Sequence, residues 1–411
     1  MGTLVKVRKT QFKHLNGAFI SLILINEEVD LFSASYLLSR LNNGIAIKTI
    51  EREAKALKKV YEFLIKNQVD LMSRLAGLQP LIAGEIESLS DYLAINYETG
   101  DLLNTQTFKH YFTTAQKFIE YWFNFYLSRV TEAPKLQAGR IALETMNSGF
   151  LVNKNIPHNG RVNERVGLTP ELQVLFFAVI EPSPDNRLNP IKSEKLRWRN
   201  YILFLTMILT GNRKGESLGL LTHDLHLAGN EQSDKYIEIL KRDRTFDGYR
   251  RKEIPSVKTK GRIIRLSNNV AELFEHYITE IRIRFKASGK TNYLFISNRD
   301  GLPLHPATPN KIIEKIIDEH PQFRGKLSPH ILRNTFHDLL NASLDEKLEG
   351  IGALRKQQIK ASLQEYAGGW AAGSSMVAHY PKGSIQARVG ELTQKIQMKI
   401  LSEAGDGELE R

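Results

Sequence analysis

The sequence contains no cysteine among its 411 residues. Disulfide bonds, thiolate zinc sites and a cysteine nucleophile are therefore excluded. The sequence also lacks an apolar run of about 18 residues, the minimum for a membrane-spanning helix, and Met1–Leu15 lack the apolar segment of a secretory signal. These absences are compatible with a reducing compartment, and the expected location is the cytoplasm.

Sequence motifs for nucleotides and metals are missing as well. Gly289-Lys290-Thr291 has the form of the end of a phosphate-binding loop, but Arg284 stands where such a loop requires its first glycine. No HExxH sequence or other metal-binding constellation is found. The sequence therefore predicts neither a cofactor nor a metal.

Acidic residues are outnumbered, because 45 Asp and Glu stand against 57 Lys and Arg, a formal net charge of +12. This excess favours a polyanionic partner, with nucleic acid the leading candidate; a generally basic surface is the alternative. Residues 241–265 hold ten basic residues against three acidic ones, either as a turn directed at a phosphate backbone or as a solvated charged run. The ten are Lys241, Arg242, Arg244, Arg250, Arg251, Lys252, Lys258, Lys260, Arg262 and Arg265.

The first third of the chain has helical periodicity. Thr49–Leu64 and Thr107–Val130 are predicted helices, and the many aromatic residues of the second are interpreted mainly as core. Residues 1–136 therefore form a predicted helical N-terminal domain. Residues 137–165 lack clear periodicity and are interpreted as a linker or loop-rich boundary.

Residues 166–411 form the second predicted domain. Thr169-Pro170 is a helix-start signal, and the apolar segment Trp198–Leu209 predicts a further helix. Three short segments have strand character: Tyr236–Leu240, Ile254–Val257 and Arg262–Leu266. The predicted fold class is mainly α, with a small antiparallel β-sheet in the C-terminal domain.

Chemistry-bearing residues first appear in Thr210–Leu218. Gly211 can end the preceding helix, so Arg213 would start the next one, near its positive dipole end. Glu216 would lie one turn further on, where it can hold Arg213. A guanidinium oriented in this way suits phosphate binding; an exposed Arg–Glu pair is the alternative.

A second group follows at His330-Ile331-Leu332-Arg333. Ser328 can cap a helix that has Pro329 in its first turn. The spacing of three then puts His330 and Arg333 on one face, an arrangement suited to proton transfer and anion binding. A surface pair is the alternative interpretation.

Taken in order, these segments resemble the tyrosine recombinases of the phage integrase family. Thr210-Gly211-x-Arg213-x-x-Glu216, followed by Leu220 and Asp224, resembles the first arginine box. Ser328–Phe336 resembles the second, and Gly369-Trp370 with Tyr380 resembles the third, in which a His or Trp precedes the nucleophile. Lys258, with Lys260 as the alternative, resembles the catalytic lysine, and Leu31–Leu64 weakly resembles the core-binding domain.

Three features depart from the family pattern. Trp370 precedes Tyr380 by one residue more than is usual, and Asn334 replaces the His that commonly follows the second arginine. Leu344–Ala361 is interpreted as an insertion, and Tyr366 is the alternative nucleophile.

The resemblance implies a two-domain clamp that transfers a DNA phosphoryl group without metal or ATP. Tyr380 would form a 3′-phosphotyrosine and release a 5′-hydroxyl, and a hydroxyl from another strand would reverse the step. Arg213 and Arg333 would hold the non-bridging oxygens, while Lys258 would protonate the departing oxygen. In the remaining implied roles His330 transfers the tyrosine proton, Trp370 buttresses the phosphate, and Glu216 and Asp224 are supports.

Double-stranded DNA is the expected partner, and a nucleoid-associated location follows from it. The candidate DNA-binding residues are Lys48, Arg52, Lys55, Arg250, Arg251, Lys252, Lys260 and Arg262. An apolar stripe predicts a C-terminal helix over Ser384–Leu401, which either closes its own domain or docks on a neighbour in a homotetramer on two DNA sites. Type IB topoisomerase-like activity, telomere resolution and non-catalytic DNA binding on the same fold remain alternative functions.

Overall fold

The computed structural model describes residues 3–12, 18–96, 99–154, 166–228, 235–242, 261–369 and 382–406. The chain divides into two compact units, Met1–Asn163 and Glu164–Arg411. Helices predominate, and each unit contains one three-stranded antiparallel sheet within the described residues. The predicted fold class is thereby confirmed, with one sheet more than expected.

The additional sheet is formed by the first three elements of the first unit. Strands β1 (Val5–Phe12), β2 (Ala18–Ile25) and β3 (Glu28–Val29) lie in that order, and Val5 pairs with Ile25. Asn26 and Glu27 connect β2 to β3 with positive φ at both positions, as a two-residue hairpin turn requires. The prediction that the first third is helical was therefore wrong for these residues.

Helices build the rest of the first unit. Asn104 caps α5 by accepting a hydrogen bond from the main-chain nitrogen of Thr107, and most aromatic side chains of α5 are buried, as predicted. The apolar stripe of α2 is buried along its length. The helices are α1 (Leu31–Asn42), α2 (Ile47–Lys66), α3 (Leu71–Ala76), α4 (Ala83–Ala94), α5 (Thr105–Leu127) and α6 (Ala133–Asn153).

Helix α6 corrects the predicted loop-rich boundary, since residues 137–153 are all helical. Only Gly139, Met146 and Phe150 of this helix are buried, so its apolar face is too narrow to produce a visible period. Gly139 lies so close to the Leu127 side chain that a β-carbon there would overlap it. The division between the two units falls after Asn163, near the end of the predicted boundary segment 137–165.

The second unit is arranged around α8, whose residues from Ile202 to Ile208 are completely buried. Its sheet consists of β4 (Leu225–His226), β5 (Tyr236–Ile239) and β6 (Arg262–Arg265), all antiparallel, which agrees with two of the predicted strands. The helices are α7 (Pro170–Ile180), α8 (Glu194–Ile208), α9 (Lys214–Gly219), α10 (Asn268–His276), α11 (Thr308–Glu319), α12 (Pro329–Lys347), α13 (Ala353–Gly368) and α14 (Lys382–Asp406).

The C-terminal helix α14 packs against α12, α13 and β6 of its own chain. Leu392, Ile396 and Ile400 of the predicted apolar stripe are buried there. Gln397, which is completely buried, accepts a hydrogen bond from the main-chain nitrogen of Ser267 at 2.7 Å. The predicted C-terminal helix is thus present, and in the single chain it packs within its own unit.

No helix among the described residues combines the length and the apolar character needed to cross a lipid bilayer.

Candidate functional site

The first arginine, Arg213, is the N-cap residue of α9. Gly211 makes the turn after α8 with a φ of 64°, and a β-carbon at Gly211 would overlap the ring of Phe336. The main-chain nitrogen of Arg213 donates to Oε2 of Glu216 at 2.9 Å, and its Nη1 lies 3.3 Å from Oε1. Glu216 thus fixes both the backbone and the side chain of Arg213.

The second arginine, Arg333, lies near the start of α12. Ser328 caps this helix, because its Oγ accepts a hydrogen bond from the main-chain nitrogen of Ile331 at 3.2 Å. The Arg333 side chain is 3% exposed, and its Nη1 donates to the carbonyl of Gly211. The turn that presents Arg213 is therefore bonded directly to Arg333.

The two guanidinium groups converge on one oxygen atom, the carbonyl oxygen of Gly368. Nη1 of Arg213 donates to it at 2.9 Å, and Nη2 of Arg333 donates to it at 3.0 Å. Gly368 is the last residue of α13, where carbonyl groups lack helical partners and carry the negative end of the helix dipole. Two residues 120 positions apart in the sequence thus meet at a single acceptor.

Positive charge is in excess around this point. Glu216 is completely buried; its Oε2 lies 2.8 Å from Nη2 of Arg262 and 3.9 Å from Nη1 of Arg333. Three guanidinium groups therefore surround one carboxylate. Burial, reinforced by repulsion from Arg213, lowers the pKa of Arg333 to about 9, so this side chain is still charged at neutral pH. The cluster is built to accept an anion, since added negative charge relieves the repulsion.

The two histidines of α12 differ in environment. His330 is exposed on the first turn of the helix, although Arg333 is buried. His337, which the sequence analysis did not select, has buried ring nitrogens; burial, followed by repulsion from Arg333, Arg262 and Arg213, lowers its pKa to about 3. Its position one turn beyond Arg333 on the same helix was the available signal.

Residues 186–348 match the family model described as the phage integrase family. This segment is therefore similar to the phage integrase family. It contains Arg213, Glu216, His330 and Arg333, and it ends before Gly368. The resemblance that was noted in the sequence is confirmed by this match.

Two solved structures of the XerH site-specific recombinase are also similar to this chain. One, bound to palindromic difH substrate in a post-cleavage complex, is 20% identical, covers 87% of this chain and 88% of its own, and gives a TM-score of 0.46. The other, a pre-cleavage complex with difH substrate, is 17% identical, covers 87% of this chain and 93% of its own, and gives a TM-score of 0.39. A search of curated proteins found no match.

Asp224, predicted as a support like Glu216, is also buried. Its Oδ2 accepts a hydrogen bond from the main-chain nitrogen of Leu221 at 2.8 Å, and its Oδ1 pairs with Arg242. Asp224 therefore holds the turn that leads into β4.

Arg262 requires a correction, because the sequence analysis assigned it to direct DNA contact. Its side chain is 1% exposed and bonds to Glu216 and Asn212. The alternation of β6 turns Arg262 and Ile264 inward, whereas Ile263 and Arg265 are less buried. In this structure the guanidinium of Arg262 is engaged with Glu216 and Asn212 rather than presented to solvent.

The remaining cationic candidates that the structure describes are on the N-terminal unit. Lys48, Arg52 and Lys55 are all exposed on α2, and their spacing of four and three puts them on one side of the helix. Lys55 makes only a long contact of 3.8 Å with Glu51, within the same helix. Seven further predicted site residues lie outside the described residues: Arg250, Arg251, Lys252, Lys258, Lys260, Trp370 and Tyr380.

The alternative nucleophile Tyr366 is on α13. Its hydroxyl donates to the carbonyl of Ile263 at 3.3 Å, and burial raises its pKa above the ordinary value. Burial, the largest influence on this pKa, opposes formation of a phenolate. Among the described residues, no group of three or more His, Asp and Glu side chains could hold a metal ion.

Proposed function

We propose that this protein is a site-specific DNA recombinase that breaks and rejoins DNA through a 3′-phosphotyrosine on Tyr380, without metal or ATP. The observation that carries the proposal is the convergence of Arg213 and Arg333 on the Gly368 oxygen, at 2.9 and 3.0 Å. Charge-assisted hydrogen bonds from guanidinium to phosphate oxygen have this length. A non-bridging oxygen of the scissile phosphate would therefore satisfy the same two donors.

The electrostatic environment supports this chemistry. Attack on a phosphodiester adds negative charge to the non-bridging oxygens, and preorganised donors in a site shielded from water stabilise that charge most effectively. Arg333 is almost fully buried, and three guanidinium groups share the single carboxylate of Glu216. The site therefore has the excess positive charge that the transition state requires.

The steps of the proposed reaction balance without an external energy source. The Tyr380 oxygen bonds to phosphorus while the bond to the 5′-oxygen breaks. Lys258 donates a proton to that oxygen, and His330, exposed on the first turn of α12, takes the phenol proton. The 5′-hydroxyl of another strand then attacks the phosphotyrosine and releases Tyr380. Trp370 packs beside the phosphate in this proposal.

The proposed partner is double-stranded DNA, held by four copies on two sites in a cytoplasmic, nucleoid-associated setting. The exposed cations Lys48, Arg52 and Lys55 would contact the phosphate backbone from the N-terminal unit.

A covalent-capture experiment tests the proposal. The full-length protein is incubated with a pool of nicked duplexes with randomised arms, in which cleavage beside the nick releases a short fragment and traps the intermediate. We expect DNA that remains bound in denaturant, and recovery of a defined sequence from it. Tyr380→Phe should lose the adduct, and the matched variant Tyr366→Phe should keep it.

The outcomes separate the competing functions. An adduct that persists in Tyr380→Phe would remove Tyr380 from its role, and absence of any adduct in the wild type would favour non-catalytic DNA binding. With the captured sequence placed in two duplexes, exchanged strands support a recombinase. Relaxed circles or hairpin ends instead indicate topoisomerase-like or telomere-resolving activity.

A further inference from the structure

The Arg262 guanidinium lies beside the completely buried carboxylate of Glu216 and bonds to few atoms. Its Nη2 donates to Oε2 of Glu216 at 2.8 Å and to Oδ1 of Asn212 at 2.9 Å. Its Nε and Nη1 are buried and have no hydrogen-bond partner in the described part of the chain. The guanidinium group is thus committed to the loop and helix that present Arg213.

Glu216 divides its two oxygens among competing donors. Oε2 accepts from the main-chain nitrogen of Arg213 and from Nη2 of Arg262, while Oε1 receives Nη1 of Arg213 at the longer distance of 3.3 Å. The Arg213 guanidinium therefore pairs with Glu216 through one terminal nitrogen, Nη1, rather than through two. The same Nη1 also reaches the Gly368 oxygen at 2.9 Å.

Without Arg262, the other cationic partners of Glu216 among the described residues would be Arg213 and Arg333. A carboxylate and a guanidinium prefer a two-point pairing, and the nearest guanidinium available for it is that of Arg213. Closing that pair would draw Nη1 of Arg213 away from the oxygen position that it shares with Arg333. Arg262 prevents this by occupying Oε2.

We propose that Arg262 is a positioning residue of the phosphate site, which orients Arg213 through Glu216 and Asn212 without touching the DNA itself. This inference rests on the proposed function. Arginine suits the task because one terminal nitrogen of its planar group serves two acceptors at once, on the loop and on α9. Arg262 also begins β6, four residues after Lys258 in the sequence, so the same strand joins the arginine site to the segment that carries the proposed general acid.

The test compares two substrates in single-turnover adduct formation. One duplex, with the captured sequence, has a normal scissile phosphate. The other has a methylphosphonate there, which lacks the negative charge that Arg213 neutralises. We expect Arg262→Met to slow the reaction about 10- to 100-fold on the phosphate and less than about 3-fold on the methylphosphonate, as Arg213→Ala should, since one charge-assisted hydrogen bond is worth one to two powers of ten.

Arg199→Met is the matched control, because Arg199 is equally buried but bonds to Asn200 and the carbonyl of Ile296. It should affect both substrates equally. Arg262→Lys keeps the charge and should restore part of the rate on the phosphate; if Arg262→Met does not fold, the lysine variant alone must show the substrate-dependent loss. An equal loss on both substrates, or no loss, overturns the inference.

A crystal structure of Arg262→Met or Arg262→Lys gives a readout that does not depend on activity. We expect the distance from Nη1 of Arg213 to the Gly368 oxygen to increase beyond hydrogen-bonding reach as Glu216 pairs with Arg213 at two points. An unchanged 2.9 Å contact would overturn the inference even if the wild type forms no adduct. Failure of the proposed function itself is recognised separately, by the wild type and Tyr380→Phe.

Discussion

Replacing Glu216 by Gln should destabilise the C-terminal unit strongly, although the two side chains have nearly the same shape. Glu216 is completely buried and is the only carboxylate within 4 Å of Arg213, Arg262 and Arg333 among the described residues. In Glu216→Gln the three guanidinium groups lose their counter-charge. The side-chain amide of the new glutamine also turns its own N–H donors toward the N–H donors of the guanidinium groups.

The size of the effect follows from the burial of the partners. Removing one partner of a buried ion pair costs about 3–5 kcal/mol, because it leaves uncompensated buried charge. Arg333 and Arg262 are 3% and 1% exposed at their side chains, so water cannot replace the carboxylate. The exposed pair of Arg284 and Glu194, at 48% and 45%, should contribute less than about 1 kcal/mol.

Hydrogen exchange measures this difference in the full-length protein. Amides of α8, at the centre of the C-terminal unit, report the free energy of its opening. We expect their opening free energy to fall by about 3–5 kcal/mol in Glu216→Gln and by less than about 1 kcal/mol in Glu194→Gln. Equal, small losses in the two variants would refute the argument that Glu216 neutralises a buried arginine cluster.

Three further predictions concern other described residues. Gly211→Ala should destabilise by about 2–5 kcal/mol in urea titrations, from the positive φ and the overlap with a buried ring; a loss under about 1 kcal/mol would contradict the geometry. The pKa of His337, about 3 when folded and lower than in the unfolded chain, means that the unfolded state binds the extra proton. The contribution of His337 to the stability of the folded state is complete above about pH 6.5 and is lost as the pH falls toward 3. His337→Leu should therefore reduce the difference between the urea midpoints at pH 7.5 and pH 5. Parallel pH dependences of the two proteins would contradict this. Replacing Lys48, Arg52 and Lys55 together by Ala should reduce the slope of log K against log salt for DNA binding by about 3, and an unchanged slope would exclude them from the interface.

Local signals in the sequence predicted the helix starts well. Thr169 and Ser328 both cap their helices through the side-chain oxygen, with proline in the first turn, as expected. These signals depend on neighbouring residues only, so the sequence contains them completely. The β2 strand, Ala18–Ile25, was missed because its side chains are apolar at every position except Ser21, so the segment has neither the strand period nor the helix period.

The contacts of the candidate site also divide into local ones, which the sequence predicted, and contacts between distant segments, which it did not. The local pair of Arg213 and Glu216 followed from a spacing of three residues, and the structure has that contact. The contact of both arginines with Gly368 joins three distant segments, so only the order of the family motifs could suggest it. The charge of Arg262 suggested an exposed DNA-binding residue, but its position in the strand decides its burial. The register of β6 sets it opposite the buried Ile239.

The most direct test of the central claim is a crystal structure of Tyr380→Phe with the captured duplex, uncleaved. We expect Nη atoms of Arg213 and Arg333 to lie about 3 Å from non-bridging oxygens of one phosphate, the scissile one. A complex in which the two arginines hold different phosphates, or in which neither of them contacts the DNA, would contradict it.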